Sequence, residues 1–161
     1  MTNIGHTGRT ARHIVCFGNP LHGDDGFGPA VYQGLVDLRA PSGLRLTEAG
    51  TPGPAALLLF QDCDEVIIVD ALTPAGAPGR VSAPTVDEIL MEPSLAGHGV
   101  GVGYLLRALA IMPEPGPRIK IIAVESSAIA SFKPGLSKPV AAAVNEVVAL
   151  LKPFFEADAN A

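Results

Sequence analysis

The chain has 161 residues, 48% of them hydrophobic and only 17% charged, a length that suits one domain and a balance that suits a packed core rather than a disordered chain. Eleven basic against sixteen acidic residues give a formal net charge of −5, and no Lys/Arg stripe interleaves with aromatic residues. The phosphate-neutralising surface of a nucleic-acid binder is therefore missing.

The elements follow in chain order. Met1 to Arg12 is polar with no apolar stretch behind it, and reads as a loose tail rather than a secretory signal. His13-Ile-Val-Cys-Phe-Gly18 is a short apolar run and predicts a buried strand. After a loop over Asn19 to Gly26, Val31, Leu35 and Leu38 fall at helical spacing, with Pro29 suited to the first turn. Leu44 to Glu48 alternates as a strand, and Pro52-Gly53-Pro54 opens a short helix through Ala55–Gln61. Val66-Ile-Ile-Val69 is the clearest buried strand and ends at Asp70, while Gly79 to Ala83 predicts an edge strand. A helix begins near His98, because Val102, Leu105, Leu106 and Leu109 repeat at helical spacing. Ile119 to Val124 is another apolar strand. The last helix starts at Pro139, aligns Val140, Val144, Val147, Val148 and Leu151 on one face, and is stopped by Pro153.

Strand and helix alternate, which predicts a single-domain α/β fold: a three-layer αβα sandwich with a mostly parallel central sheet of about five strands. The expected limits are a tail over 1–12, a domain over 13–155 and a C-terminal tail over 156–161. The longest apolar runs fall far short of a membrane span, so a cytoplasmic monomer without membrane contact is expected.

In an open α/β sheet, ligands gather at the carboxyl ends of the strands. The first strand empties into Asn19-Pro-Leu-His-Gly-Asp-Asp-Gly26 and the central strand into Asp70, while His98 opens a helix on a connection assigned to the same end. Two carboxylates and an imidazole meeting there would make an oxygen/nitrogen metal site. Asp25 precedes a helix whose partly positive end favours the ionised carboxylate, and a helix start pushes His98 toward the neutral, metal-binding imidazole. Blander roles compete. Asp24 is read as a cap or loop brace, Asp70 serves equally well as a turn residue, His98 between two glycines as a loop residue, and His22 as a surface residue.

Other chemistries fit less well. The Gly-rich loop is not GxGxxG, and its adjacent acids would repel a pyrophosphate. No HExxH helix and no GxSxG elbow around Ser126 and Ser127 are present. Cys16 and Cys63 form no CxxC pair or zinc spacing and are read as buried, reduced and non-catalytic.

The phrase Gly18-Asn-Pro-Leu-His-Gly-Asp-Asp-Gly-Phe-Gly28 resembles the opening motif of the nickel–iron hydrogenase maturation endopeptidases. Glu48-Ala-Gly-Thr51, Ile67-Ile-Val-Asp-Ala71, His98-Gly-Val-Gly-Val102 and Val124-Glu-Ser-Ser127 resemble later segments of that family in the same order. The likeness runs from Ile14 to Leu151. It implies an enzyme that removes a C-terminal extension from the hydrogenase large-subunit precursor once nickel is in place, with Asp25, Asp70 and His98 as the metal-binding and catalytic residues. Glu48 stands where relatives often carry Asp. Two carboxylates and one His cannot fill a coordination shell and lack thiolates, so the nickel is expected to come with the substrate rather than to be held tightly by the free protein. Two other readings stay open: a metallohydrolase carrying its own ion on the same residues, and a non-catalytic chaperone that senses a partner's metal site.

Overall fold

The computed structural model describes residues 10–91, 102–128 and 132–156. Its elements are β1 (Thr10–Phe17), α1 (Phe27–Leu35), β2 (Leu44–Gly50), β3 (Cys63–Leu72), β4 (Val81–Ser82), α2 (Val86–Met91), α3 (Val102–Ala110), β5 (Arg118–Glu125), α4 (Lys138–Leu151) and α5 (Pro153–Glu156). Two 3-10 segments, Gly23–Gly26 and Gly53–Phe60, lie in the β1–α1 and β2–β3 connections.

The five strands form one sheet in the order β2-β1-β3-β5-β4. The four long strands are parallel, and the short β4 runs antiparallel on the edge of β5. Parallel strands covered on both faces need apolar side chains in both directions, which is why β1 and β3 read as continuous runs. Ile14, Cys16, Ile67, Val69 and Val124 pack with α1, α4 and α5 on one face. Val15, Phe17, Val66, Ile68, Ile121 and Ala123 pack with Gly53–Phe60, α2 and α3 on the other. Each fully buried Val, Ile or Leu contributes roughly 1.5–3 kcal/mol, so the two layers together dominate stability. Among the described residues no helix is long and apolar enough to cross a membrane.

Several elements differ from expectation, each for a local reason. β1 starts at Thr10 rather than His13, three residues inside the stretch read as tail. Thr10 N donates to Asp62 O at 3.1 Å, and Arg12 pairs with the buried Glu65 at 2.6 Å while its guanidinium lies 4.2 Å over the Phe154 ring. Tertiary partners thus extend the strand beyond its apolar run. β3 likewise continues through Asp70 to Leu72, because β5 pairs with it as far as Leu72↔Glu125. The short helix expected over Ala55–Gln61 is present as a 3-10 helix over Gly53–Phe60. Pro153 ends α4 but opens the single turn α5, which reaches Glu156. The expected helix start at His98 lies outside the described residues. α2 was not anticipated, although its signal is present: Thr85 and Glu88 form a reciprocal capping box, with Thr85 N donating to Glu88 Oε2 at 2.7 Å and Glu88 N to Thr85 Oγ1 at 3.2 Å.

Buried His13 ties β1 to its neighbours, one ring nitrogen 2.8 Å from the Leu59 carbonyl and the other 2.7 Å from Thr47 Oγ1. Burial pulls its pKa down to about 4, so it sits neutral in the core.

Helix α1 approaches β1 so closely that a Cβ at Gly28 would fall on the Phe17 carbonyl. Gly28→Ala is expected to cost more than about 2 kcal/mol, whereas Gly116→Ala, with nothing within 4 Å of the added carbon, should stay within about 0.5 kcal/mol. Urea unfolding of both variants checks this; equal midpoints would refute the close-approach argument.

Candidate active site

The chain leaves β1 for β2 on one side and returns past β1 to β3 on the other. The carboxyl ends of β1 and β3 therefore flank the point where strand order reverses, which is the ligand crevice of open α/β sheets. The turn bearing Asp24 and Asp25 leaves β1 there and packs against β3. Asp70 lies near the end of β3.

Gly18 makes the turn possible. Its φ is +134°, and a Cβ there would collide with the Asp25 carbonyl. Adjacent aspartates in a 3-10 turn point apart, and their surroundings differ accordingly. Asp24 turns inward and is only 2% exposed. Its carboxylate accepts from Ser137 N at 2.7 Å, Ser127 N at 2.8 Å, Ser137 Oγ at 2.9 Å and Ala128 N at 3.3 Å. Burial alone would raise its pKa, but these bonds, led by Ser137, outweigh it and hold the carboxyl below the usual range. The loop-brace reading of Asp24 is thus what the structure shows. Its partners were missed, since nothing in a sequence links residues more than a hundred positions apart.

Asp25 is half-buried, with Oδ2 accepting from Asn19 N at 2.9 Å. Asp70 Oδ1 accepts from Ala71 N at 2.8 Å. Burial raises the Asp70 pKa to about 7, the Ala71 bond opposing this and the Asp25 charge adding to it. The two carboxylates therefore share one field at the switch point, as expected from the strand ends. Among the described residues neither forms an ion pair with Lys or Arg, while the buried Glu65 and Glu125 both do.

His98 lies outside the described residues. Among those residues, no three His, Cys, Asp or Glu side chains gather to hold an ion. The donors that are described, two carboxylates with oxygen lone pairs to spare, suit a divalent cation that a third ligand helps to hold.

Glu48 is exposed at the end of β2, paired with Cys16 in the β1–β2 ladder. Cys16 is fully buried, and desolvation together with the charges of Glu48 and Asp70 pushes its thiol up to about 12. Such a thiol stays protonated and unreactive. Cys63 is buried and forms no disulfide. Ser126 Oγ is buried just beyond β5, and none of the described residues hydrogen-bonds to it or stands as its base. His22 sits edge-on to exposed Phe132, ring centroids 5.8 Å apart. Glu125, buried at the same sheet edge, was not foreseen as structural. It accepts from Ala77 N at 2.6 Å and Ala75 N at 2.7 Å and pairs with Arg80 at 3.1 Å, fixing the chain that follows β3.

Comparison with known proteins bears on the family and the fold. The hydrogenase maturation protease (HycI) family model matches residues 31–153. A protein of Methanocaldococcus jannaschii named as a hydrogenase maturation protease is 31% identical over 144 residues, covering 86% of this chain and 92% of the relative. The fold matches the hydrogenase maturating endopeptidase HybD of E. coli with a TM-score of 0.72 at 23% identity, over 88% of this chain and 92% of the other. It also matches the hydrogenase 2 maturation peptidase of a Thaumarchaeota archaeon, with a TM-score of 0.61 at 29% identity, over 88% and 96%. A family model spanning most of the chain and a relative aligned over most of both sequences establish that the protein belongs to the hydrogenase maturation proteases and is a peptidase.

Proposed function

We propose that the protein removes the C-terminal extension of a nickel–iron hydrogenase large-subunit precursor after nickel insertion, gripping the precursor's nickel with Asp25, Asp70 and His98. The observation that carries this reading is the uncompensated carboxylate pair. Every other buried acid described here has a cation or a full set of donors, whereas Asp25 and Asp70 repel each other at the ligand crevice without a Lys or Arg partner. A divalent ion brought by a partner relieves that repulsion.

The metal belongs to the substrate. In the precursor, thiolates hold the nickel, and this site adds harder oxygen and nitrogen ligands to the same ion. The shared ion seats the scissile segment at the sheet edge and polarises its carbonyl or a water. Because neither protein alone fills the coordination shell, nickel occupancy becomes a condition for cutting.

Two outcomes follow. One purified precursor, assayed with and without nickel by intact mass, should be cleaved only when loaded, and His98→Ala should abolish that cleavage. Equal rates on both forms would remove the metal requirement, and stoichiometric metal in protein purified without additives would favour a resident ion instead.

The second concerns pH. The Asp70 carboxyl titrates near 7 in the fold against an ordinary 3.8. Between those values the folded state keeps a proton that the unfolded chain has released, so the residue's contribution to stability falls as pH rises through that window. Asp70→Asn should therefore melt higher than the parent protein at pH 8, with the gain vanishing by about pH 4. A constant difference across that range would contradict the assignment.

A further inference from the structure

We propose that Asp24 is a positioning residue for cleavage: by clasping Ser127, Ala128 and Ser137 it fixes where the neighbouring Asp25 stands relative to Asp70. The inference rests on the reading of Asp25 and Asp70 as ligands to the precursor's metal.

The geometry is lopsided in a telling way. Among the described residues the Asp25 carboxylate accepts one hydrogen bond, from Asn19 N, and the residue is half-buried at the edge. Its place is therefore set by the four-residue turn that carries it. That turn is held by Asp24, whose two oxygens take four donors from segments 103 to 113 positions away. Oδ2 takes three of these donors, from Ser127 N, Ala128 N and Ser137 Oγ, and Oδ1 takes the fourth, Ser137 N. A fifth bond, Gly23 N to Lys133 O at 2.9 Å, ties the same turn to the same wall. Ser137 stands at the N-cap position of α4, its hydroxyl given to Asp24, so the clasp joins the turn to the exit of β5 and to the entry of a 14-residue helix. β5 is the strand paired with Asp70's own strand. Asp24 thus closes a frame around the site: β3 to β5, β5 to the Asp24 clasp, and the clasp to Asp25.

A frame of this kind acts on rate through placement. Misplacing a reacting group by about 1 Å costs on the order of a hundredfold. Asn at position 24 keeps the shape but replaces one oxygen by an amide that faces backbone donors, so it breaks at least one arm of the clasp. Ser137→Ala removes only the hydroxyl arm. Glu65→Gln is the matched control, since Glu65 is an equally buried acid that holds Arg12 and Lys120 at the amino end of the sheet.

The experiment measures kcat and KM on nickel-loaded precursor, well below each variant's melting midpoint. Asp24→Asn should lower kcat by about a hundredfold with KM changed less than about threefold, and Ser137→Ala by a smaller, intermediate factor. Glu65→Gln should melt lower with kcat unchanged. A readout independent of cleavage uses Ni2+ alone, whose paramagnetic broadening reports on the amides of Asn19 and Ala71, the donors to Asp25 and Asp70. In the parent protein both should broaden together; in Asp24→Asn the Asn19 effect should weaken while Ala71 keeps its own. Joint broadening in the variant, parent-like kcat, or an equal kcat loss in Glu65→Gln would each overturn the proposal. Failure of the functional reading is distinct: the parent protein itself would not cut loaded precursor, while the Ni2+ measurement still decides the role of Asp24.

Discussion

Like charges held together in a poorly solvated place need something to neutralise them, and Asp25 and Asp70 have nothing of the kind within the described chain. Burial first, and the neighbouring Asp25 charge after it, raise the Asp70 carboxyl to about 7. Much of the architecture bears on this one juxtaposition. The reversal of strand order opens the crevice between β1 and β3. Gly18 lets the chain turn back over its own carbonyl, and Gly28 lets α1 lie against β1 so that the turn starts at the right height. An ordinary side chain at either position would move Asp25 away.

The other ionisable groups of the core are silenced, which sharpens the contrast. Glu65 is surrounded by Arg12, Lys120 and Arg118, Glu125 by Arg80 and two backbone donors, and Asp24 by four donors. His13 is neutral and bonded at both nitrogens, and Cys16 is locked as a thiol. Satisfied groups of this kind stabilise and specify a fold, whereas Asp25 and Asp70 each have one described backbone donor and no described cation. Among the described groups the site stands out by its deficit of positive charge. That deficit is the feature on which the proposed docking of a partner's metal ion rests.

The sequence showed most of the layers because parallel strands buried on two faces are apolar without alternation, as Val66 to Val69 and Ile119 to Val124 illustrate. The valine face of α4 was equally plain. Strand ends were less legible. Thr10, Arg12, Asp70 and Leu72 join strands through partners such as Glu65 and β5, which local pattern does not encode. α2 went unseen despite the Thr85 and Glu88 capping signature, because it is short and buries only Ile89 fully. At the candidate site, Asp25 and Asp70 were singled out from strand ends, and the structure places both near the carboxyl edge. The clasp of Asp24 was not, since its donors are mostly backbone amides that carry no residue identity. His98, the third residue singled out by the motif order, falls outside the described residues, so the pair of carboxylates is the part of the site that the fold itself supports.

The most direct test of that pair is a 13C NMR titration of the Asp25 and Asp70 carboxyl carbons in the parent protein and in Asp25→Asn. The account predicts that Asp70 titrates near 7 in the parent protein, chiefly through burial, and at somewhat lower pH once the neighbouring charge is gone. An Asp70 midpoint in the ordinary carboxylate range, or one that does not move when Asp25 is neutralised, would contradict it.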